Sequence, residues 1–444
     1  LLALTTDFQT GSAATLALSA PWGVNCDLAP VCADAVVRWH GGLLYVVERY
    51  GCDAVMVLDP STWTVLREFS VGAQSNPQDI AVISPTRAYV SCYETNDLLE
   101  VDPSTGAILG TISLAAFADQ DGLCEMHRML VYGNRLFVEV QRMFRQDWPD
   151  PWVPAPPSQL VVINLNTRQI VDADPGQPGT QGIELEGLNP VAALQIDAAS
   201  GDILVPEAGA YGVTDGGGIE RVDPVGMRSR GLVITEAELG GDIIDFAPWT
   251  PERAYAIVSL PGFETALVAF NPATGQRIGV VWNPGDFVLA DLLSYPTGHL
   301  FVADRDYFNP GVRVFDATDG SPVAGPLFTC LPPNELVILP GGTSGAPAAD
   351  AGAATLGSPY PNPSTGPVRL AWTRGASAGP ARLEVVDLHG RRVRALDFPT
   401  GAAPGEISWD GLDAAGRPVP NGAYFLRVVQ DGRAGGSRPV RILR

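Results

Sequence analysis

No lysine occurs anywhere in the 444 residues, and the 28 arginines are outnumbered by 49 acidic side chains, for a net charge of −21. Such a surface repels nucleic acid and favours cations or basic partners; in an exported protein it also serves solubility. No apolar run reaches 18 residues, so no transmembrane segment is expected. Only four histidines occur, at His40, His127, His299 and His389, and none sits in a GxSxG elbow or an HExxH helix. The six cysteines form neither CxxC nor CxxCH, which argues against structural zinc and attached haem. The chain starts at Leu1 with no initiator Met and no basic-apolar leader. A mature exported chain reads this way, and so does a trimmed one.

What is abundant is turn-forming residues and short β-prone runs. With 49 Gly, 39 Pro and only 17% charged residues, the composition suits an all-β protein. Seven times a strand-like run ends in Asp or Asn, turns within about four small residues and starts another strand. The copies are TDFQTG at Asp7, LDPSTW at Asp59, VDPSTG at Asp102, INLNTR at Asn164, VDPVGM at Asp223, FNPATG at Asn271 and FDATDG at Asp316, spaced by 52, 43, 62, 59, 48 and 45 residues. Units of this length with several short strands each read as propeller blades. In the first full unit AVVRW, LLYVVER, AVMVLD and TVLREFSV supply four strands in order. Residues 1–18 supply an outer strand pair around Asp7, and Asn334–Leu339 supplies one more inner strand. Joined, they complete a seventh blade and remove the exposed sheet edges. Six blades with a loose first strand is the alternative.

The expectation is an all-β chain: a seven-bladed β-propeller closed by both of its termini over 1–339, a Gly/Ala/Pro linker over 340–357, and an immunoglobulin-like β-sandwich over 358–444. Charge divides the same way. Residues 1–357 carry 42 acids and 16 Arg, whereas 358–444 carry 7 acids and 12 Arg, so the parts hold −26 and +5. Opposite charges allow copies of the chain to attract one another, head to tail, or the two parts of one chain to do so.

Within the last segment, YPNP (360–363), VVDLHGRRVRAL (385–396), WDGLDAAGRPVPNGAYFLRV (409–428) and the terminal RPVRILR resemble the FlgD-like immunoglobulin domains that serve as C-terminal sorting domains of type IX secretion. The resemblance implies export to the bacterial cell surface or beyond, with this domain used for sorting or attachment. Trp372 and Trp409 read as its core. The first part resembles extracellular propellers of the YVTN type through LLYVVER, AYVSCYETNDLLEVDPSTG and NPQDIAV. Those are blade-building motifs and imply little about activity.

Strand alternation puts the Asp/Asn turns on one face and the long insertions 19–33, 144–158, 173–189 and 207–217 on the other, where binding is expected. Cys26, Cys32, Cys52, Cys92, Cys124 and Cys330 fall on or near that face. Three disulfides suit an exported chain, with Cys26–Cys32, Cys52–Cys92 and Cys124–Cys330 as pairings by loop proximity; free buried thiols are the alternative. Asp34, Asp79, Glu125, Asp242, Asp291 and Glu335 mark the starts of inner strands, with Pro190 at the remaining one. They read as an acidic collar holding Ca²⁺, or as acceptors for backbone N–H groups at blade junctions. Asp119 and Asp121 have part of a Ca²⁺-loop spacing, or form a simple turn. Trp148 and Trp152, among five prolines, read as a platform for glycan or protein, or as packing over their blade. His127, with Arg128 and Glu125, is a channel acid–base candidate or a packing residue. The function expected is a secreted, non-enzymatic structural subunit, requiring no cofactor beyond possible Ca²⁺. Its partners would be copies of itself or surface proteins and glycans. Ligand binding by the long-loop face and a metal-dependent hydrolase or lactonase are the alternatives.

Overall fold

The computed structural model describes residues 1–146, 152–339, 355–356, 359, 364–373, 380–387, 391–398, 405–430 and 433–442. The chain is all-β, and its first part is a ring of seven antiparallel sheets. Blade 1 is Ala35–His40, Leu43–Glu48, Ala54–Asp59 and Thr64–Ser70, ordered from the axis outward. Blades 2 to 6 repeat this order, beginning at Pro77, Met126, Gln195, Asp242 and Leu289. Blade 7 takes Pro333–Val337 as its innermost strand and pairs it with Leu2–Thr6 in the register Leu2↔Val337, Ala3↔Leu336, Leu4↔Glu335. The ring is therefore closed by strands from both ends of the propeller, as the repeat pattern predicts.

One detail differs. Leu2–Thr6 and Gly11–Leu16 occupy the second and third positions of blade 7, and the outer position is filled by Val24–Asn25 and Pro30–Val31. The Asp7 turn thus joins strands two and three and lies on the long-loop face, not with the other six. The backbone shows the same distinction. In the six turns the fourth residue after the Asp or Asn is left-handed: Trp63, Gly106, Arg168, Met227, Gly275 and Gly320 have φ between 51° and 84°. At Asp7 the left-handed residue is the next one, Phe8, with φ 67°. All seven share the reason for Asp or Asn: the side-chain oxygen accepts the N–H two residues on, at 2.7–3.0 Å. Gly275 is needed twice over, since a Cβ there would also lie 2.0 Å from the Val233 carbonyl of the preceding blade.

Middle strands are buried on both faces because a blade lies on either side. Val36, Tyr45, Val47 and Val55 of blade 1 pack with Ile80, Val90 and Val101 of blade 2 in one apolar cluster. Each such burial contributes about 1.5–3 kcal/mol. The outer strand Thr64–Ser70 is almost wholly exposed, and its sequence is accordingly mixed.

The second part forms two sheets. Thr355–Leu356, Val368–Thr373 and Gly405–Trp409 make one; Arg392–Asp397, Ala381–Asp387, Gly422–Gln430 and Arg433–Ile442 make the other. Their shared core includes Leu370, Trp372, Leu383, Phe398, Trp409 and Leu426. Trp372 stacks on Phe398 with centroids 4.0 Å apart, and the Trp409 indole donates to the Leu412 carbonyl at 3.0 Å. Both tryptophans are core residues, as expected. Most of the linker expected over 340–357, and His389, lie outside the described residues.

Candidate functional site

The inner strands bring charged side chains to the propeller axis in a pattern that repeats from blade to blade. Asp79 of blade 2 accepts the Met129 N–H of blade 3 at 2.9 Å. Asp245 of blade 5 accepts Leu292 N–H of blade 6 at 3.0 Å, and Asp291 of blade 6 accepts Leu336 N–H of blade 7 at 2.5 Å. Glu335 of blade 7 accepts Val37 N–H of blade 1 at 3.3 Å. Two arginines lie among these acids. Arg38 donates from Nε to Asp79 at 2.8 Å and from Nη1 to Glu335 at 2.9 Å. Arg128 Nη2 is 3.6 Å from the other Glu335 oxygen. Burial works against charge on Arg38, but Asp79 and Glu335 outweigh it and raise its pKa. Burial, then Asp245 and Glu335, push Asp291 well above the usual carboxylate range.

These contacts fit the other reading of the acids, as acceptors for backbone N–H groups at blade junctions. Among the described residues no three His, Cys, Asp or Glu side chains are grouped to hold a metal. Asp79, Asp291 and Glu335 face the axis, but backbone N–H groups and arginines take up their oxygens. Asp34, Glu125 and Asp242 belong to another level, nearer the strand starts. Asp34 pairs with Arg49 at 2.5 Å, Glu125 accepts Met143 N–H at 3.1 Å, and Asp242 accepts Gly212 N–H at 2.5 Å. Asp242 was the wrong acid of its strand: the axial position belongs to Asp245. No local signal separated the two, since Asp242 and Asp245 each directly precede an apolar pair, Ile243-Ile244 and Phe246-Ala247. Asp119 and Asp121 are engaged in turns, Asp119 accepting Asp121 N–H and Asp121 accepting Leu123 N–H, both at 3.0 Å.

His127 meets Glu139, not Glu125: its Nδ1 lies 3.0 Å from Glu139 Oε2. Burial lowers the His127 pKa well below its ordinary value and pushes Glu139 up to about 8. Both shifts favour the uncharged form of their group. Ser91 completes an apparent triad, yet its hydroxyl donates to the His127 main-chain carbonyl at 2.6 Å rather than to the ring. That geometry does not activate the hydroxyl as a nucleophile.

On the long-loop face, Trp148 lies outside the described residues. Trp152 is 45% exposed and sits under Arg145, whose guanidinium is 4.7 Å from its ring centre and 5.4 Å from that of Tyr93. Arg145 also pairs with Glu94 at 2.5 Å. Arg145 was not singled out in the sequence, where nothing local distinguishes it. The cysteine pairings are corrected as well. Cys32 bonds to Cys52, Cys26 and Cys330 are both disulfide-bonded, and Cys92 and Cys124 are free and buried. Cys92 closes the second strand of blade 2 inside the apolar cluster shared with blade 1, and Cys52 is already taken by Cys32.

Fold and site together define a β-propeller with an ion-paired axis, joined to an immunoglobulin-like sandwich. Residues 362–433 match the family described as FlgD Ig-like domain. No curated protein matches the chain in sequence. Among solved structures it is similar to PorZ, described as an essential bacterial surface component of the type IX secretion system of Porphyromonas gingivalis, at 14% identity and a TM-score of 0.46. That alignment covers 98% of this chain, which spans only 64% of PorZ. A protein of unknown function from Bacteroides caccae aligns over 64% of this chain and 93% of its own, at 14% identity and a TM-score of 0.39. A chain of a nidogen/laminin complex aligns over 62% and 89%, at 14% identity and a TM-score of 0.37.

Proposed function

We propose that this chain is an exported, non-enzymatic surface protein. Its propeller is a structural and interaction scaffold of the YVTN kind, and its FlgD-like domain serves export or attachment. The observation that carries this reading is the FlgD Ig-like match over 362–433, in a chain whose propeller holds a Cys32–Cys52 disulfide. Disulfides persist in oxidising compartments outside the cytoplasm. The axial carboxylates support the non-enzymatic part, since they serve blade junctions and arginines rather than an open reaction centre. Self-association of copies belongs to the same reading and follows from the charge asymmetry.

The test is localisation in a bacterium that carries type IX secretion, comparing the full chain with one truncated before residue 358. Protease accessibility of intact cells reports surface exposure. The full chain is expected at the surface and the truncated chain inside. Surface exposure of both, or retention of both, overturns the role given to the C-terminal domain.

A further inference from the structure

The exposed aromatic side chains are not scattered. Among the described residues eight are exposed, and all eight lie on the long-loop face of the propeller. Phe8, Tyr50 and Trp152 stand in the connections between strands two and three of blades 7, 1 and 3, exposed by 72%, 76% and 45%. Tyr211, Phe263 and the Tyr307-Phe308 pair occupy the same connection in blades 4, 5 and 6, at 64–77%. Phe287 is on the same face, between blades 5 and 6. Blade 2 contributes a half-buried Tyr93 in the same connection. Every blade therefore places a ring in one topological position, whereas the opposite face has no exposed aromatic among the described residues. Exposed aliphatic side chains such as Leu66, Leu109 and Val280 belong to outer strands instead.

Carboxylates adjoin these rings: Asp7 precedes Phe8, Glu264 follows Phe263 and Asp306 precedes Tyr307. The face already shows what such a mosaic holds. Arg145 lies over Trp152 and Tyr93, and the Arg305 guanidinium is 5.6 Å from the centre of the Phe8 ring. A guanidinium over a ring with a carboxylate nearby is favourable at protein surfaces. Aromatic side chains are also where binding energy concentrates in protein interfaces.

We propose that this ring-studded face is a docking surface for a protein partner presenting arginine or lysine side chains. The proposal rests on the reading of the propeller as an interaction scaffold and names its partner class. The choice follows from charge complementarity: residues 1–357 carry a net −26, which favours a basic partner. A neutral glycan would use the same rings but would gain nothing from the overall charge.

The test uses the purified full chain and a fluorescent dodecapeptide of alternating Arg and Gly, with a Gln-for-Arg peptide and a neutral dextran as competing probes. One variant combines Tyr50→Ser, Tyr211→Ser, Phe263→Ser and Phe308→Ser. All four rings are at least 65% exposed and the net charge is unchanged; an unfolding midpoint equal to the parent's verifies that the variant folds. The Arg peptide is expected to bind the parent chain, to protect the connections between strands two and three from hydrogen exchange, and to bind the variant at least tenfold more weakly. A Val225→Ser change on the opposite face should leave affinity alone. Equal affinity of parent and variant would mean attraction by charge alone and would overturn the proposal, as would absence of peptide binding. Preference for dextran, with the same protection, would overturn it in favour of a sugar ligand. These outcomes are read on purified protein and are independent of where the chain resides in the cell.

Discussion

In the propeller, two arginines are set among a surplus of carboxylates; in the sandwich, one carboxylate is shared by three arginines. Arg38 serves both Asp79 and Glu335, and Glu335 is shared again with Arg128. Glu384 accepts from Arg382, Arg392 and Arg427 at 2.8–3.2 Å. In both domains the carboxylate is buried more deeply than the arginines that meet it, but the environments differ. Asp79 is 1% exposed and its arginine partner 27%, whereas the arginines around Glu384 are 41–57% exposed. The first network is sealed at the centre of a ring; the second is laid on the outside of a sheet. Equivalent drawings of ion pairs therefore carry unequal energies.

Breaking the axial pair should have the largest effect. Arg38→Met leaves Asp79 and Glu335 without their shared cation in a buried place and is expected to cost about 3–5 kcal/mol. Denaturant unfolding followed by a propeller-specific probe would measure it. A loss below about 1 kcal/mol would mean that the backbone N–H groups alone satisfy both acids.

Acidity should separate the two domains in opposite senses. Burial pushes Glu125, Glu139 and Glu236 up to about 8 from 4.5, so the folded propeller keeps protons that the unfolded chain releases between those values. Their contribution is complete below about pH 4.5 and is lost as pH rises toward 8. Burial also acts on Glu384, but hydrogen bonds from Arg427, Arg392 and Arg382 outweigh it and hold its pKa down. Its contribution is present above the ordinary carboxylate range and is lost in acid. Hydrogen exchange at pH 4, 6 and 8, resolved by domain, should show propeller protection falling and sandwich protection holding as pH rises. Glu236→Gln should flatten the propeller's dependence; an unchanged slope would show that Glu236 ionises normally.

Glu384→Gln should have the smallest effect. Its arginines are partly hydrated, so a loss of about 1 kcal/mol or less is expected, shrinking further in high salt. A loss equal to that of Arg38→Met would erase the contrast between the networks.

Much of the architecture was legible because its signals are local. An Asp or Asn that accepts the N–H two residues on marks a turn wherever it stands, and alternating apolar runs between such turns mark strands. The same locality explains the error at Asp7: the side-chain bond is identical whether the turn joins strands two and three or three and four. The axis was half legible. Glu335 and Asp291 were found, but the role of Arg38 depends on Asp79, which lies 41 residues away in another blade. Asp242 was chosen over Asp245 because a strand boundary read from sequence is uncertain by a few residues. The disulfides failed for a related reason: pairing depends on which loop tips meet, and no spacing encodes that. The aromatic face was seen only at Trp148 and Trp152. It becomes visible once each ring is indexed by its place in a blade rather than by its neighbours in the chain.

The pairing of Leu2–Thr6 with Pro333–Val337 has a consequence for how this protein is made. Leu2–Thr6 cannot find its partner until more than three hundred further residues have been synthesised, on the order of 20–70 s later at ordinary rates of synthesis. During that interval its hydrogen-bonding edge is open and prone to join a neighbouring nascent chain. The ring can latch only after its last blade has been made.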